Sequence, residues 1–438
     1  MRFCTITAML GLLFTLLAGT ATAGEAKKRW ELMNQIRKEK FDLVLPEAMR
    51  ENGIDMWITV NREGYDDPLT EDFGKGYVGD WGFYVFTDRG GDRIERAALG
   101  IGTHLIEQNG AYDIVTGNFD LAAFVAERDP KVIGLNYAEH IGGADGLTYT
   151  AHRKLTELLG EKYASRFVSA QKLASDFRSR RVATEIAGFA AAGEKSREIA
   201  ERAFSNEVIT PGRTTLADVA WWMHEQQFRN NLGTSFGMPS VYVTGPDGVT
   251  AMSNDYVIQR GDFLAIDWGV GYLNFYTDMK RHAYVLREGE THLPASIQKA
   301  FDNGRAVRDI IKANIKAGPT AGEMLDLLNR KIAEAGFSVM DEFNKPTTDA
   351  ANVDVIIGCH SVGNLGHGIG PSIAWFNPER MTYQLRETNL LSIELFAYTP
   401  IPEWGNKKLR IPLEDDAILT ARGIEWLYPV TERVLLIR

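Results

Sequence analysis

Four carboxylates sit in or beside segments that otherwise read as buried strands, and nothing else in the chain restricts its fold as much. The stretch FLAIDWGVGYLNFYTDMKRHAYV holds two strand-like runs around a glycine-containing turn, with Asp267 closing the first and Asp278 inside the second. LLSIELFAY places Glu394 in an apolar run, and LRIPLEDDAILT places Glu414 at the entry to another. A carboxylate in an apolar strand is costly unless its charge is paired or bound to a metal, and two on neighbouring strands repel. An aspartate at a strand end also has a simpler use, capping a turn, and for Asp267 and Asp278 alone the two readings stay level. GNLGHGIGP adds His367 between Gly366 and Gly368, where backbone can approach the imidazole closely on both sides. A single histidine is more often a satisfied polar residue than a ligand. Together, however, the acids and the histidine exceed what an apolar core holds uncompensated, and four negative charges balance two divalent cations. The arithmetic suggests a dinuclear centre.

The remaining composition bounds the partners and the compartment. The 438 residues correspond to two or three domains at about 150 residues each. Hydrophobic residues at 45% and charged residues at 24% exclude a disordered or fibrous chain. The 48 basic and 58 acidic residues give a net charge of −10, so nucleic acid is not an expected partner. The opening MRFCTITAMLGLLFTLLAGTATAG has a basic Arg2, an apolar run from Met9 to Ala18, and Ala21 and Ala23 in a cleavage pattern. Residues 1–23 are therefore expected to be a secretory signal peptide, and the mature protein periplasmic or secreted. That apolar run is too short to span a bilayer, and no membrane association is expected. Gly24 stands where a lipoprotein signal needs cysteine, and only Cys359 survives maturation. One cysteine forms no intramolecular disulfide, and Cys359 reads as a small core residue.

Along the mature chain, residues 27–50 read as helical with an interruption at Pro46. DMWITV, FYVFTD, RIERAALG and KVIGLN then read as strands, with Arg89, Gly90 and Gly91 as a hairpin turn. Residues 24–175 thus form an expected α/β domain without clustered acids, histidines or glycine loops, suited to a structural or substrate-gating role. From 172 to 206 a helical pattern follows, with Val182, Ile186, Phe189 and Ile199 on one face and the basic run RSRR at 178–181 near its start. The boundary is expected near Ser175. A second helix starts at Thr215, with Asp218 completing a capping-box variant, and strands return after Gly233. The segment HEQQF at 224–228 begins like a zinc-binding helix but lacks the second histidine, so His224 reads as a helix-surface residue. Residues 176–438 form the second domain and hold nearly every candidate site residue.

The spacing of Asp267, Asp278, His367, Glu394 and Glu414, with the motifs around them, resembles the pita-bread metallopeptidases, the family of aminopeptidase P, prolidase and methionine aminopeptidase. Residues 24–175 resemble the creatinase/prolidase-type N-terminal domain, so the resemblance implies an α/β N-terminal domain followed by an α+β pita-bread catalytic domain. It also implies two divalent ions, with Asp267 and Glu414 bridging, Asp278 on one ion, and His367 and Glu394 on the other. Glu394 would double as the general base. Oxygen-rich ligation favours manganese, with cobalt, zinc or iron as alternatives. The implied activity is an exported exopeptidase acting on short peptides, similar to an Xaa-Pro aminopeptidase or dipeptidase, and commonly a homodimer. The alternatives are hydrolysis of a non-peptide C–N substrate, as in creatinase, and a metal-binding protein with little catalysis.

Several positions depart from the family pattern. It carries a histidine eleven residues before Gly261, where Thr250 stands, and another seven residues after the histidine of GHGIG, where Ala374 stands. Aminopeptidase P places an arginine two residues before its last glutamate, where this chain has Pro412 with Arg410 close by. Loss of one donor to the tetrahedral intermediate costs roughly 10² to 10³ in turnover. His282, four residues after Asp278, and His360, seven before His367, are the candidates to compensate, with a surface or structural role as the plainer reading of each. Trp268 and Trp375 are candidates for shaping an apolar substrate pocket.

Overall fold

A computed structural model describes residues 24–102, 104–364 and 368–438; the expected signal peptide lies outside the described residues. The first helical stretch is two helices, Glu25–Leu43 and Leu45–Glu51, broken at Val44 with Pro46 in the first turn of the second. Six strands follow: β1 Met56–Arg62, β2 Tyr77–Thr87, β3 Glu95–Gly102, β4 Ile114–Thr116, β5 Ile133–Leu135 and β6 Phe167–Ser169. They form one mixed sheet in the order β4-β3-β2-β1-β5-β6. Gly90 and Gly91, both at positive φ, lie in the β2–β3 connection where the turn was expected. One face of this sheet packs Trp57 and Phe86 against Phe41, Phe73 and Phe177 in a cluster of edge-on and tilted rings.

The expected long helix from 172 is likewise two helices, Gln171–Ser179 and Ala183–Ala203. The basic run between them is not a solvated patch. Arg178, Arg180 and Arg181 are buried, paired respectively with Asp72, with Glu51 and Asp176, and with Glu185. Lys40 donates to the carbonyls of Arg178 and Arg180 at 3.2 and 2.9 Å, and burial draws its pKa down to about 8. The next helix, Leu216–Arg229, begins with the expected reciprocal cap between Thr215 and Asp218. Among the described residues no helix is long and apolar enough to cross a membrane.

The remaining chain curves around the site in three larger sheets. One places Leu435–Ile437, Met279–Val285, Phe263–Trp268, Ser240–Gly245 and Gly248–Val249 side by side in that order. The other two share three passes of chain. Asp354–Ile357, Leu395–Pro400 and Lys408–Leu413 lie in a four-stranded sheet, while their continuations or predecessors Cys359–Ser361, Asp416–Thr420 and Leu390–Ser392 lie in a five-stranded one. Each pass changes sheet through a joint of one or two residues: Gly358, Ile393 with Glu394, and Glu414 with Asp415. The helix Ala295–Asn314 packs across Leu395–Pro400 and Lys408–Leu413. A single apolar cluster runs from Trp57 through Phe177 and Phe189 to Leu264 and Trp268, joining the N-terminal sheet to the second part. The architecture is therefore an α/β N-terminal domain followed by a curved α+β domain, as expected.

Candidate metal centre

The joints between sheets deliver the site. Glu394 and Glu414 are not within strands but at the points where the chain leaves one sheet for the other, where their side chains turn toward a common centre. His360 lies in the middle of Cys359–Ser361, with Ser392 as its cross-strand partner. Gly358 precedes this strand because a Cβ there would meet Glu394 Oε2 at 2.6 Å. Asp267 and Lys280 are directly opposed in the antiparallel pair Phe263–Trp268 and Met279–Val285. Asp278 precedes Lys280 by two residues, so both side chains leave the strand on the same face. The turn between these strands needs Gly269, whose Cβ would otherwise fall 1.7 Å from the Thr277 carbonyl oxygen.

Two groups of contacts result. In the first, ligand-type atoms of Asp278, His360 and Glu414 all lie within 4.8 Å of one another. His360 Nδ1 lies 3.0 Å from the Ser361 carbonyl, and with its proton donated there Nε2 turns its lone pair to the acids. Nε2 stands 3.4 Å from Glu414 Oε1 and 3.9 Å from both Asp278 Oδ2 and Glu394 Oε2. Ser392 Oγ donates to Glu414 Oε1 at 2.6 Å. Asp278 Oδ1 is buried with no hydrogen-bond partner among the described residues. A buried orphaned carboxylate oxygen beside an imidazole and a second carboxylate matches the donor set of a divalent ion, and these residues fit one.

In the second group Lys280 is central. Its Nζ reaches Asp267 Oδ2 at 3.1 Å, Glu394 Oε1 at 2.6 Å and Glu414 Oε2. Burial alone would strip its proton, but the surrounding carboxylates hold the Lys280 ammonium well above its ordinary value. Burial pushes Asp267 and Glu394 up, with Lys280 opposing it. Asp278 is pushed far up by burial and by the charges of Glu414 and Asp267, with Lys280 only partly opposing them. Glu414 is held below its ordinary value despite its burial, chiefly by Lys280 and then by His360. Behind the centre, Asp416 accepts from the Asp278 amide at 3.1 Å and from the Tyr428 hydroxyl at 3.0 Å.

These groups open onto a cavity of about 330 Å³ that is also lined by Phe236, Ser240, Phe376, Asn377 and Arg380. A larger cleft of about 910 Å³ adjoins it, walled by Tyr242, Met252, Tyr398 and Arg410. Asp267, the most open of the four acids with its side chain 34% exposed, lines both. Arg410 lies over the Phe396 ring at 4.4 Å in the larger cleft, while Pro412 pairs with Phe396 across the strands. Thr250 accepts from the Val243 amide at 3.1 Å, and Ala374 is buried.

Of the sequence candidates, Asp267, Asp278, Glu394, Glu414 and His360 converge. His367 lies outside the described residues. His282 does not come to the acids, although its strand position suggested it. It is fully buried, stacked on Phe263 at 5.7 Å and edge-on to Phe301 at 5.9 Å, and burial followed by the Arg281 charge draws its pKa down to about 3. Trp268 is a core residue and Trp375 is half-exposed beside Phe343; neither lines the two cavities, and in the smaller one Phe376 and Phe236 stand instead. His224 is half-buried, 3.0 Å from Gln227 Oε1. Cys359 is a buried free thiol. Sequence reading missed Lys280, whose signal was its position two residues after Asp278.

The chain matches the family described as Metallopeptidase family M24 over residues 187–421. No curated protein matches it in sequence. Among solved structures it is similar to the X-Pro aminopeptidase from Thermotoga maritima MSB8, with a TM-score of 0.64 and 19% identity over 89% of this chain and 99% of that one. It is also similar to the Xaa-Pro dipeptidase from Bacillus anthracis (TM-score 0.58, 20% identity, 92% and 99% covered). The prolidase from Pyrococcus horikoshii OT3 gives a TM-score of 0.56 at 19% identity, with 93% and 99% covered. At these identities the likeness is one of fold.

Proposed function

Because the chain belongs to metallopeptidase family M24, we propose that it is a metal-dependent exopeptidase hydrolysing short peptides, in the manner of the Xaa-Pro aminopeptidases and dipeptidases whose fold it shares. The observation that carries this reading is the cluster of Asp278, His360 and Glu414 at the floor of a cavity, with Glu394 beside it. A divalent ion held by these residues supplies polarisation of a carbonyl oxygen and acidification of a water. The chain does the rest. Glu394 Oε1 is anchored on Lys280, which leaves Oε2, on the His360 side, as the base that takes a proton from the attacking water and returns it to the leaving amine. Phe236 and Phe376 line the cavity beside the acids and offer an apolar wall to the substrate.

His360 is read here as the histidine ligand, on its distances to three acids. Seven residues beyond His360 stands His367, so the family's second histidine is retained in this register, and Ala374 is not its replacement. We read residues 1–23 as an export signal and residues 24–175 as the accompanying N-terminal domain, on the composition of the first and the separate sheet of the second. A homodimer, and manganese as the ion, remain part of the proposal through the family resemblance.

The test is release of free amino acids from a panel of di- and tripeptides, with and without proline in second place, by residues 24–438 loaded with manganese. Turnover is expected, together with a loss of about 10² to 10⁴ in Glu394→Gln while the circular dichroism spectrum is unchanged. Equal turnover in that variant, or none in the native chain, overturns the reading.

A further inference from the structure

We propose that the Lys280 ammonium takes the place of one of the two cations of a dinuclear centre, so that this site holds a single divalent ion on Asp278, His360 and Glu414. The inference rests on reading the cluster as a metal centre, and it departs from the pair of ions expected from four carboxylates.

Three observations support it. First, the stoichiometry of donors and acceptors is complete. A lysine ammonium has three protons, and three carboxylate oxygens face it: Asp267 Oδ2 at 3.1 Å, Glu394 Oε1 at 2.6 Å and Glu414 Oε2. Second, two of those carboxylates are split. Glu414 gives Oε2 to the ammonium and turns Oε1 to Ser392 and His360. Glu394 gives Oε1 to the ammonium and turns Oε2 to His360. This is how a bridging carboxylate serves two cations, with the ammonium as one of them. Third, the side chain is enclosed where it stands. Lys280 is directly opposite Asp267 in the strand register, its side chain is 3% exposed, and its Nζ lies 5.6 Å from the Phe396 ring centroid. Its backbone amide is held by the Glu414 carbonyl at 3.1 Å.

The remaining vacancy in charge is on the other side. Asp278 takes no part in the ammonium's three contacts, and its Oδ1 is a buried oxygen without a partner among the described residues. One divalent ion there and one ammonium carry three positive charges against four negative ones. A second divalent ion would have to share the oxygens of Asp267, Glu394 and Glu414 with a buried ammonium, placing like charges side by side. In this arrangement Asp267 is a partner of Lys280 and not a metal ligand.

The experiment is metal stoichiometry on residues 24–438, stripped with chelator, reloaded with Mn(II) and dialysed, read by elemental analysis and by electron paramagnetic resonance. The native chain is expected to hold one Mn per chain with the signal of an isolated ion. Lys280→Thr is expected to take up a second equivalent and show a spin-coupled pair, while Lys280→Arg stays at one. Two ions, or none, in the native chain overturn the proposal, as does a folded Lys280→Thr that still binds one. Should Lys280→Thr not fold, the native stoichiometry decides alone. Peptide hydrolysis measured on the same samples separates the two readings: one bound ion without turnover removes the peptidase reading and leaves the ammonium in place, and two ions with turnover do the reverse.

Discussion

At the scale of single residues, the same chemistry has opposite outcomes depending on what a side chain meets. Asp278 and His282 lie on one strand face four residues apart, yet one ends among acids and the other among rings. His282 bears on stability through its proton. Its pKa is drawn from 6.5 down to about 3 in the folded chain, so between those values the unfolded chain binds a proton that the folded chain refuses. Stability therefore falls as the pH is lowered through that window, by about 1.4 kcal/mol per unit. In urea unfolding the native chain is expected to lose about 2 kcal/mol more than His282→Leu between pH 7 and pH 5, and peptide turnover is expected to survive the substitution. Equal losses in both chains would show that His282 is not held neutral. The carboxylates were legible in the sequence because acids in apolar runs break a pattern. The place of His360 was not, since nothing local marks it as a ligand and pairing with Ser392 is what brings it to the centre. Lys280 was passed over because a lysine in a strand ordinarily reaches solvent.

At the scale of elements, the joints between sheets carry the function. A regular strand alternates its side chains between two faces, whereas a joint frees one residue from that alternation and lets Glu394 and Glu414 converge. Gly358 makes one joint possible, and Gly358→Ala is expected to displace Glu394 and lower turnover by about 10²-fold with little change in unfolding midpoint. Unaltered kinetics in that variant would mean the carboxylate yields without consequence. Away from the site, the Thr215 cap is a local device, and Thr215→Ala is expected to cost about 1 kcal/mol in chemical denaturation and leave turnover intact. This cap was readable because its partner is three residues away. The breaks at Val44 and between Ser179 and Ala183 show the limit of such reading: a proline marked the first, but nothing local marked the second.

At the scale of the whole molecule, the two domains are joined by buried charge as well as by a continuous apolar core. Arg178 binds Asp72 through Nε at 2.9 Å and Nη2 at 2.6 Å, and Asp72 also accepts at 2.9 Å from Asn274, which lies between the strands Phe263–Trp268 and Met279–Val285. Removing one partner of a buried pair leaves the other uncompensated. Arg178→Ala is expected to destabilise the chain by about 3–5 kcal/mol in urea unfolding and to speed proteolysis between the domains. A loss near zero would place the union of the domains in the apolar core alone.

The sequence by itself determined the α/β character of the N-terminal part, the Thr215 cap and the identity of the four acids, because each leaves a mark within a few residues of chain: a period, a cap or an acid out of place. Tertiary structure alone decided that His360 faces the acids, that the arginines of RSRR are buried partners and not a basic surface, and that Lys280 stands among the carboxylates. The physical reason is distance along the chain. Lys280 meets Glu394 across 114 residues and Glu414 across 134, and a charge that is neutralised at such separation has no local pattern to announce it.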